Sequence, residues 1–359
     1  MLPEQLARAA AIDLGDARRI VSLVHRKGPL PDRAPATIRR AALEAARLQG
    51  GVPALTRIER LPSAVDPFVK YAFRLDDGKV IESVRIPLER AGRFSACVSS
   101  QVGCALGCAF CATGRMGLMR NLEAWEIVEQ VRAVRADLPE GGRVHGVLFQ
   151  GMGEPLANAD RVIHAIRVLG EPCAQAIDMR NITVCTAGLP SGIERLWREV
   201  PAVRLGVSLG SVIPARRRSL MPIDSAHPLE EVIAAAGEHA RATRQSPMFA
   251  YTLLAGHNDG DDDAHALADL CERFRRDHGV GARLSLIPFN PAAGDDRAGF
   301  DRSPRLEAFR AVFRERGVGT IVRYSGGGDV GAACGQLART SAPKEPAAPP
   351  ALAPIGPPD

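Results

Sequence analysis

The sequence has no run of roughly eighteen apolar residues, the length at which a stretch reads as a bilayer-spanning helix. Its N-terminus, Met1-Leu2-Pro3-Glu4-Gln5, leads into a charged amphipathic segment and lacks the order of a secretory signal. These absences predict a cytoplasmic protein with no membrane partner. Lysine is scarce: Lys27, Lys70, Lys79 and Lys344 are the only four among 46 basic residues. The net charge of +5 is therefore carried by arginine, whose planar fork suits phosphate. A GC-rich coding bias would enrich Arg, Ala, Gly and Pro together, so the charge permits a nucleic-acid partner without requiring one. The eight cysteines have irregular spacing and no secretory signal before them, which argues for metal binding or catalysis rather than a disulfide framework.

A chain of 359 residues with 46% hydrophobic and 24% charged content can bury one large core with appendages. Residues 1 to about 60 read as helical, with apolar positions such as Leu6, Ile20, Val21, Ile38 and Leu43 at helical spacing and a break at Gly28-Pro29-Leu30-Pro31. A hairpin follows, 69–75 and 80–86 joined by Asp76-Asp77-Gly78. From Phe94 strands alternate with helices. Strands are expected at 94–99, 145–150, 181–185, 203–208, 248–254 and 283–287, with a seventh at 319–323. Helices are expected at 122–136, 158–169, 191–198, 228–243, 262–276 and 303–316. Six such units predict an α/β fold, an open, partial TIM-like (β/α)6 barrel with its chemistry at the C-terminal strand ends. The expected division is a helical accessory unit at 1–65, a hairpin extension at 66–92, a core at 93–338 and a disordered tail at 339–359. Residues 341–359 of that tail hold seven prolines.

Cys104, Cys108 and Cys111 form a CxxxCxxC motif in the loop after the first core strand. Three thiolates can fill three iron corners of a 4Fe-4S cube and leave the fourth iron open. The alternative is a zinc knot completed by Cys97 or His145. The spacing resembles the radical S-adenosylmethionine (SAM) superfamily, in which the open iron chelates SAM and reductive cleavage yields a 5′-deoxyadenosyl radical. After the second strand comes Gly151-Met152-Gly153-Glu154-Pro155. Read alone it is an ordinary strand-to-helix turn; beside the cysteine loop it resembles the element that holds the SAM amino group. Cys185-Thr186, Ser208-Leu209-Gly210 and Asn290 end later strands, where small polar groups also serve simply as caps.

Cys97-Val98-Ser99-Ser100-Gln101-Val102-Gly103-Cys104, Gly114, Arg120-Asn121-Leu122, the Gly151–Pro155 element and Ala332-Ala333-Cys334-Gly335-Gln336-Leu337 together resemble the RlmN/Cfr family of radical SAM RNA methyltransferases. The likeness runs over roughly residues 66–338. It implies that Cys104, Cys108 and Cys111 hold a 4Fe-4S cluster. It also implies that Gly153, Glu154, Cys185, Ser208, Leu209, Gly210 and Asn290 line the SAM site. Cys334 matches the cysteine that carries the methyl group as S-methylcysteine, Cys97 the one that forms a transient disulfide with it, and Glu82 the proton acceptor. The implied activity is methylation of an adenine ring carbon, carbon 2, in ribosomal or transfer RNA. It would use two SAM molecules per turnover, a low-potential donor such as flavodoxin or ferredoxin, and a monomeric enzyme.

The sequence departs from the family at several points. Ser208-Leu209-Gly210-Ser211 stands for the usual Ser-Leu-His-Ala, and Cys185 for a usual serine. The N-terminal unit is shorter, and the Pro/Ala tail replaces a basic extension. Cys173 and Cys271 match nothing in the family and read as structural. The competing readings are a radical SAM enzyme acting on a small molecule or protein, and an inactive RNA-binding paralogue.

Overall fold

The computed structural model describes residues 1–291 and 299–338, so the expected disordered tail at 339–359 lies outside the described residues. Three helices open the chain: α1 (Pro3–Ala9), α2 (Leu14–Lys27) and α3 (Arg40–Arg47). The Asp13 carboxylate caps α2 by accepting from the backbone of Gly15 and Asp16, and Arg26 and Lys27 offset the helix dipole at the other end. Leu6, Ile20, Val21, Leu43 and Ala46 face inward and join the same buried cluster as the strands that follow.

The helical reading of residues 1 to about 60 stops short. Thr56–Pro62 form strand β1, antiparallel to β2 (Val69–Arg74). The apolar period ends at Ala46, Pro53 and Pro62 lack a backbone donor, and the edge of β2 offers hydrogen bonds that a lone helix there would not gain. The Asp76-Asp77-Gly78 turn leads into β3 (Val80–Pro87), as the hairpin signal predicts.

Next come β4 (Arg93–Val98) and a separate two-stranded ribbon, β5 (Gln101–Cys104) and β6 (Gly117–Asn121), enclosing one helical turn, α4 (Ala112–Arg115). The repeating part then runs α5 (Ala124–Ala136), β7 (Arg143–Phe149), α6 (Ala159–Gly170), β8 (Ile182–Thr186), α7 (Pro190–Glu199) and β9 (Arg204–Ser208). It continues through α8 (Pro214–Leu220), α9 (Leu229–Thr243), β10 (Met248–Leu253), α10 (Asp261–His278), β11 (Arg283–Pro288), α11 (Leu306–Glu315) and β12 (Thr320–Val322).

One ten-stranded sheet has the order β1-β2-β3-β4-β7-β8-β9-β10-β11-β12. From β4 onward all neighbours are parallel, so six strand-to-helix units and a seventh strand make the open, barrel-like core that the alternation predicts. Central strands are buried on both faces, as parallel sheets require; Leu205, Gly206 and Val207 of β9 are all buried. The hairpin continues this sheet on its β4 side. Parallel pairing gathers the C-terminal strand ends, and with them the loops, on one side. Besides β1, the ribbon with α4 inside it and α8 are elements that periodicity did not foresee. Among the described residues no helix is long and apolar enough to cross a membrane.

Candidate active site

Register brings the hairpin to the site. Lys70 on β2 and Cys97 on β4 both pair with Val84 on β3, so one row crosses three strands. Glu82, two residues from Val84, shares that face. The backbone between β4 and β5 is fixed by buried polar groups. Gln130 of α5 accepts from the Ser99 N–H at 2.8 Å and the Ser83 hydroxyl at 2.6 Å, and donates to the Ser99 carbonyl at 3.0 Å. The Ser99 hydroxyl donates to the Glu82 carbonyl at 2.6 Å and accepts from Met152 N at 2.9 Å. Satisfied networks of this kind specify one backbone path, which gives the serines of the Cys97–Cys104 motif a physical role.

Cys104 ends β5, Cys108 lies in the loop, and Cys111 stands just before the first residue of α4. The three thiols lie in one another's electrostatic field, together with Glu154. Burial pushes Cys104 up to about 11 and raises Cys108 and Cys111 as well, so these thiols stay protonated until a cationic centre draws them to thiolate. The zinc alternative lacks its fourth ligand. His145 sits near the start of β7 among Arg93, Arg143 and Arg204, which begin β4, β7 and β9, at the opposite end of the strands from the cysteine loop. Cys97 faces Cys334, Arg323 and Cys185 instead. Among the described residues no three His, Cys, Asp or Glu side chains close on a single ion. Three thiolates on one zinc would stand within about 4 Å of one another, whereas a cube gives each thiolate its own iron. The donor set fits a 4Fe-4S cluster.

Glu154 follows β7 and is 3% exposed. Its Oε1 accepts from Leu156 N at 3.0 Å and its Oε2 from Ala187 N at 2.8 Å. Burial raises its pKa, and these hydrogen bonds pull it back. Gly153 has φ +98°, and a Cβ there would stand 2.5 Å from the Gln101 Cβ; Gln101 Oε1 meanwhile accepts from Glu154 N at 2.8 Å. Cys185, Ser208, Leu209 and Gly210 lie at or just beyond the ends of β8 and β9, on the same side as Glu154. Burial pushes the Cys185 thiol up to about 12. Gly210 has φ +66°, and a Cβ there would meet Met221 Sδ at 2.5 Å. A neighbouring sulfur has taken the space a side chain would need. Asn290 follows β11, and its amide donates to the Ser325 carbonyl at 3.1 Å.

The segment 332–338 lies across these elements. Gly335 O accepts from Ala112 N at 2.8 Å, and Thr113 Oγ1 donates to Leu337 O, so the segment is hydrogen-bonded to the end of the cysteine loop. Gln336 Nε2 donates to Pro291 O at 2.7 Å, and Cys334 N to Ser325 Oγ at 2.9 Å. Cys97 and Cys334 line one small cavity of about 40 Å³ together with Gln150 and Arg323. All eight cysteines are free thiols here, and burial pushes Cys97 up to about 12. Glu82 is 1% exposed behind this segment, where Oε1 pairs with Lys70 Nζ at 3.1 Å and Oε2 accepts from Ala338 N at 3.0 Å.

The Radical SAM superfamily matches residues 98–271. A protein named probable RNA methyltransferase from Sorangium cellulosum is 71% identical over 95% of this chain and 92% of its own. A dual-specificity RNA methyltransferase RlmN from Syntrophobacter fumaroxidans is 46% identical over 76% of this chain and 77% of its own. The chain belongs to the RlmN family of radical SAM RNA methyltransferases. The crystal structure of a radical SAM methyltransferase from Sphaerobacter thermophilus matches with a TM-score of 0.82 and 36% identity, covering 94% of this chain and 97% of that one. For an RlmN relative the family implies a 4Fe-4S cluster and SAM. Several neighbours of the site were not foreseen from sequence: Lys70 beside Glu82, Arg323 beside Cys97 and Cys334, Gln101 behind Glu154, and Arg217 under the strand ends. Gln101 lies inside the Cys97–Cys104 motif, a signal that could have found it. Lys70 and the arginines stand in stretches with no signal beyond charge. Cys173 beside Glu171 and Cys271 in the core take no part in the site.

Proposed function

We propose that this protein methylates an adenine ring carbon, carbon 2, of ribosomal or transfer RNA. Cys104, Cys108 and Cys111 hold the cluster. Gly153, Glu154, Cys185, Ser208, Leu209, Gly210 and Asn290 hold SAM, with the Glu154 carboxylate toward its ammonium. When bound, the cluster supplies the electron that splits SAM and opens a radical route. Such a route is needed because an amidine-type ring carbon is electrophilic and offers nothing for polar methylation.

Cys334 takes the methyl group first. Its thiol proton leaves, a sulfur–carbon bond forms, and the methyl–sulfonium bond of one SAM breaks; a second SAM serves the radical step. The radical from that second SAM would remove one hydrogen from the S-methyl carbon, which then joins the ring. Once the odd electron of the adduct has passed back to the redox partner, Glu82 takes the ring proton. The Cys97 thiol loses its proton and its sulfur attacks the Cys334 sulfur; the sulfur–carbon electron pair stays with the carbon, which takes up a proton to become the ring methyl group, and a disulfide joins the two cysteines. The observation that carries this reading is the Cys334 segment. It is hydrogen-bonded to the cysteine loop through Gly335 and Ala112, while Cys334 itself shares a cavity with Cys97. Residues 1–65 act as the accessory unit that contacts RNA, 66–92 as the hairpin that brings Glu82, and 93–338 as the catalytic core. The enzyme works as a cytoplasmic monomer and draws on a low-potential donor such as flavodoxin or ferredoxin.

Tritium from methyl-labelled SAM should appear in RNA incubated with the reconstituted enzyme. Mass spectrometry of adenosines from a deletion strain should then lack one methylated adenosine, which identifies molecule and carbon together. Label found only in protein or small molecules would overturn the assignment.

A further inference from the structure

The cysteine loop leans on α8 and the turn after it. Leu220 O accepts from Ala109 N at 2.9 Å, and Leu106, Cys108 and Phe110 pack with Leu220, Met221 and Phe289. Arg217, on this helix, is the bulkiest side chain with no solvent exposure among the described residues. Every part of its fork is engaged. Nε donates to Asp224 Oδ1 at 3.0 Å, Nη2 to Ala187 O at 3.0 Å, and Nη1 to Ser208 O at 3.3 Å and to Leu209 O. Ala187 in turn gives its N–H to Glu154 at 2.8 Å. One side chain therefore ties together the backbone beyond β8 and β9 at the positions assigned to SAM.

The same guanidinium is a buried charge: its Nη1 lies 3.6 Å from the sulfur of Met221, a member of the apolar cluster against which Cys108 packs, and Asp224 is its ion-pair partner. Arginine keeps its proton even when buried, so this charge is permanent. Away from water, charges are poorly screened. We propose that Arg217 is a positioning residue with two effects: it braces the backbone ledge under SAM, and its charge beside Cys108 favours the reduced cluster. Reduction adds one electron's charge to the cluster, and a fixed cation beside one of its thiolates stabilises that state. Loss of the cation should make reduction harder.

This inference rests on the cluster and SAM assignments made above. Wild-type protein that fails to take up about four irons would defeat those assignments, and the Arg217 variants need not be consulted. Given a loaded wild type, three proteins separate the effects. Arg217→Lys keeps the charge and loses the fork. Arg217→Met with Asp224→Leu removes the pair together, a change that buried pairs often tolerate where loss of one partner alone is disruptive. Asp224→Asn keeps the guanidinium.

The readouts are an EPR-monitored redox titration without SAM and equilibrium dialysis of SAM. Reduction of the double variant should be roughly tenfold less favourable, a potential about 59 mV lower for one electron, while Arg217→Lys and Asp224→Asn should not move downward. SAM affinity should fall roughly tenfold in Arg217→Lys and in the double variant. An unchanged potential in a double variant with full iron overturns the electrostatic role. Unchanged SAM affinity in Arg217→Lys overturns the bracing role.

Discussion

Replacing Glu154 with Gln keeps the shape of the side chain and removes its charge. A carboxylate bound to the SAM ammonium contributes about 1.5 to 3 kcal/mol, so SAM affinity should fall roughly tenfold to a hundredfold, at 1.4 kcal/mol per tenfold. A second effect follows from the hydrogen bonds. Both carboxylate oxygens accept backbone donors, from Leu156 at 3.0 Å and from Ala187 at 2.8 Å. An amide has one oxygen, so its NH2 must face one of those donors, and an unmade buried bond costs about 1 to 3 kcal/mol of stability. The two effects are read separately, by equilibrium dialysis of SAM on protein with full iron and by thermal unfolding.

The pH response has a definite sign. Burial raises Glu154 above its ordinary value of 4.5, so its charge, and the affinity that depends on it, is present above the raised pKa and lost as pH falls through it. The Gln variant should show no such fall. In the protein without SAM the same shift makes stability decline as pH rises from the ordinary value through the raised one, because the folded state holds the proton more tightly than the unfolded chain. Wild-type SAM affinity in Glu154→Gln, with iron content intact, would remove Glu154 from the ammonium site.

Anaerobic reconstitution should give a brown protein with about four irons per chain, and stoichiometric zinc without iron in protein purified free of oxygen would refute the cluster. Cys334→Ala should abolish S-methylcysteine, read by peptide mass spectrometry, together with activity. Cys97→Ala should leave RNA attached to Cys334 as a nuclease-sensitive band on denaturing gels, absent from the Cys97→Ala/Cys334→Ala double variant; similar mild destabilisation from both single changes would mark them as packing residues. Lys70→Met strands the buried Glu82 carboxylate and should cost about 3 to 5 kcal/mol, visible as a lower Tm, whereas an unchanged Tm would mean that the 3.1 Å pair contributes nothing.

The parallel core was legible because its strands are short apolar runs and its helices carry period and caps, as α10 does with Asp261, Asp262 and Asp263 at its start and Arg275, Arg276 and His278 at its end. The thiols were legible because their chemistry fixes their spacing. What escaped has one physical cause: no local pattern specifies it. β1 is a strand because β2 offers it an edge. α8 carries Arg216, Arg217 and Arg218 in a row, and on sequence alone three arginines look alike. In the fold Arg216 pairs with Asp262 and Asp263 with its side chain 38% exposed, Arg218 is 63% exposed, and Arg217 is wholly enclosed. Glu82 was singled out only through the family resemblance, and its partner Lys70 comes from the strand alongside and could not be paired with it before the register was known.

That register limits how the hairpin can vary. Side chains on β3 alternate between faces, so a single-residue insertion or deletion between Val80 and Val84 would turn Glu82 outward and leave Lys70 facing a different neighbour. The same change within Asp76-Asp77-Gly78 alters only the connection. Length variation among relatives should therefore gather at that turn. A library that randomises turn length while holding 80–87 constant should retain function far more often than one that shifts the strand by a single residue.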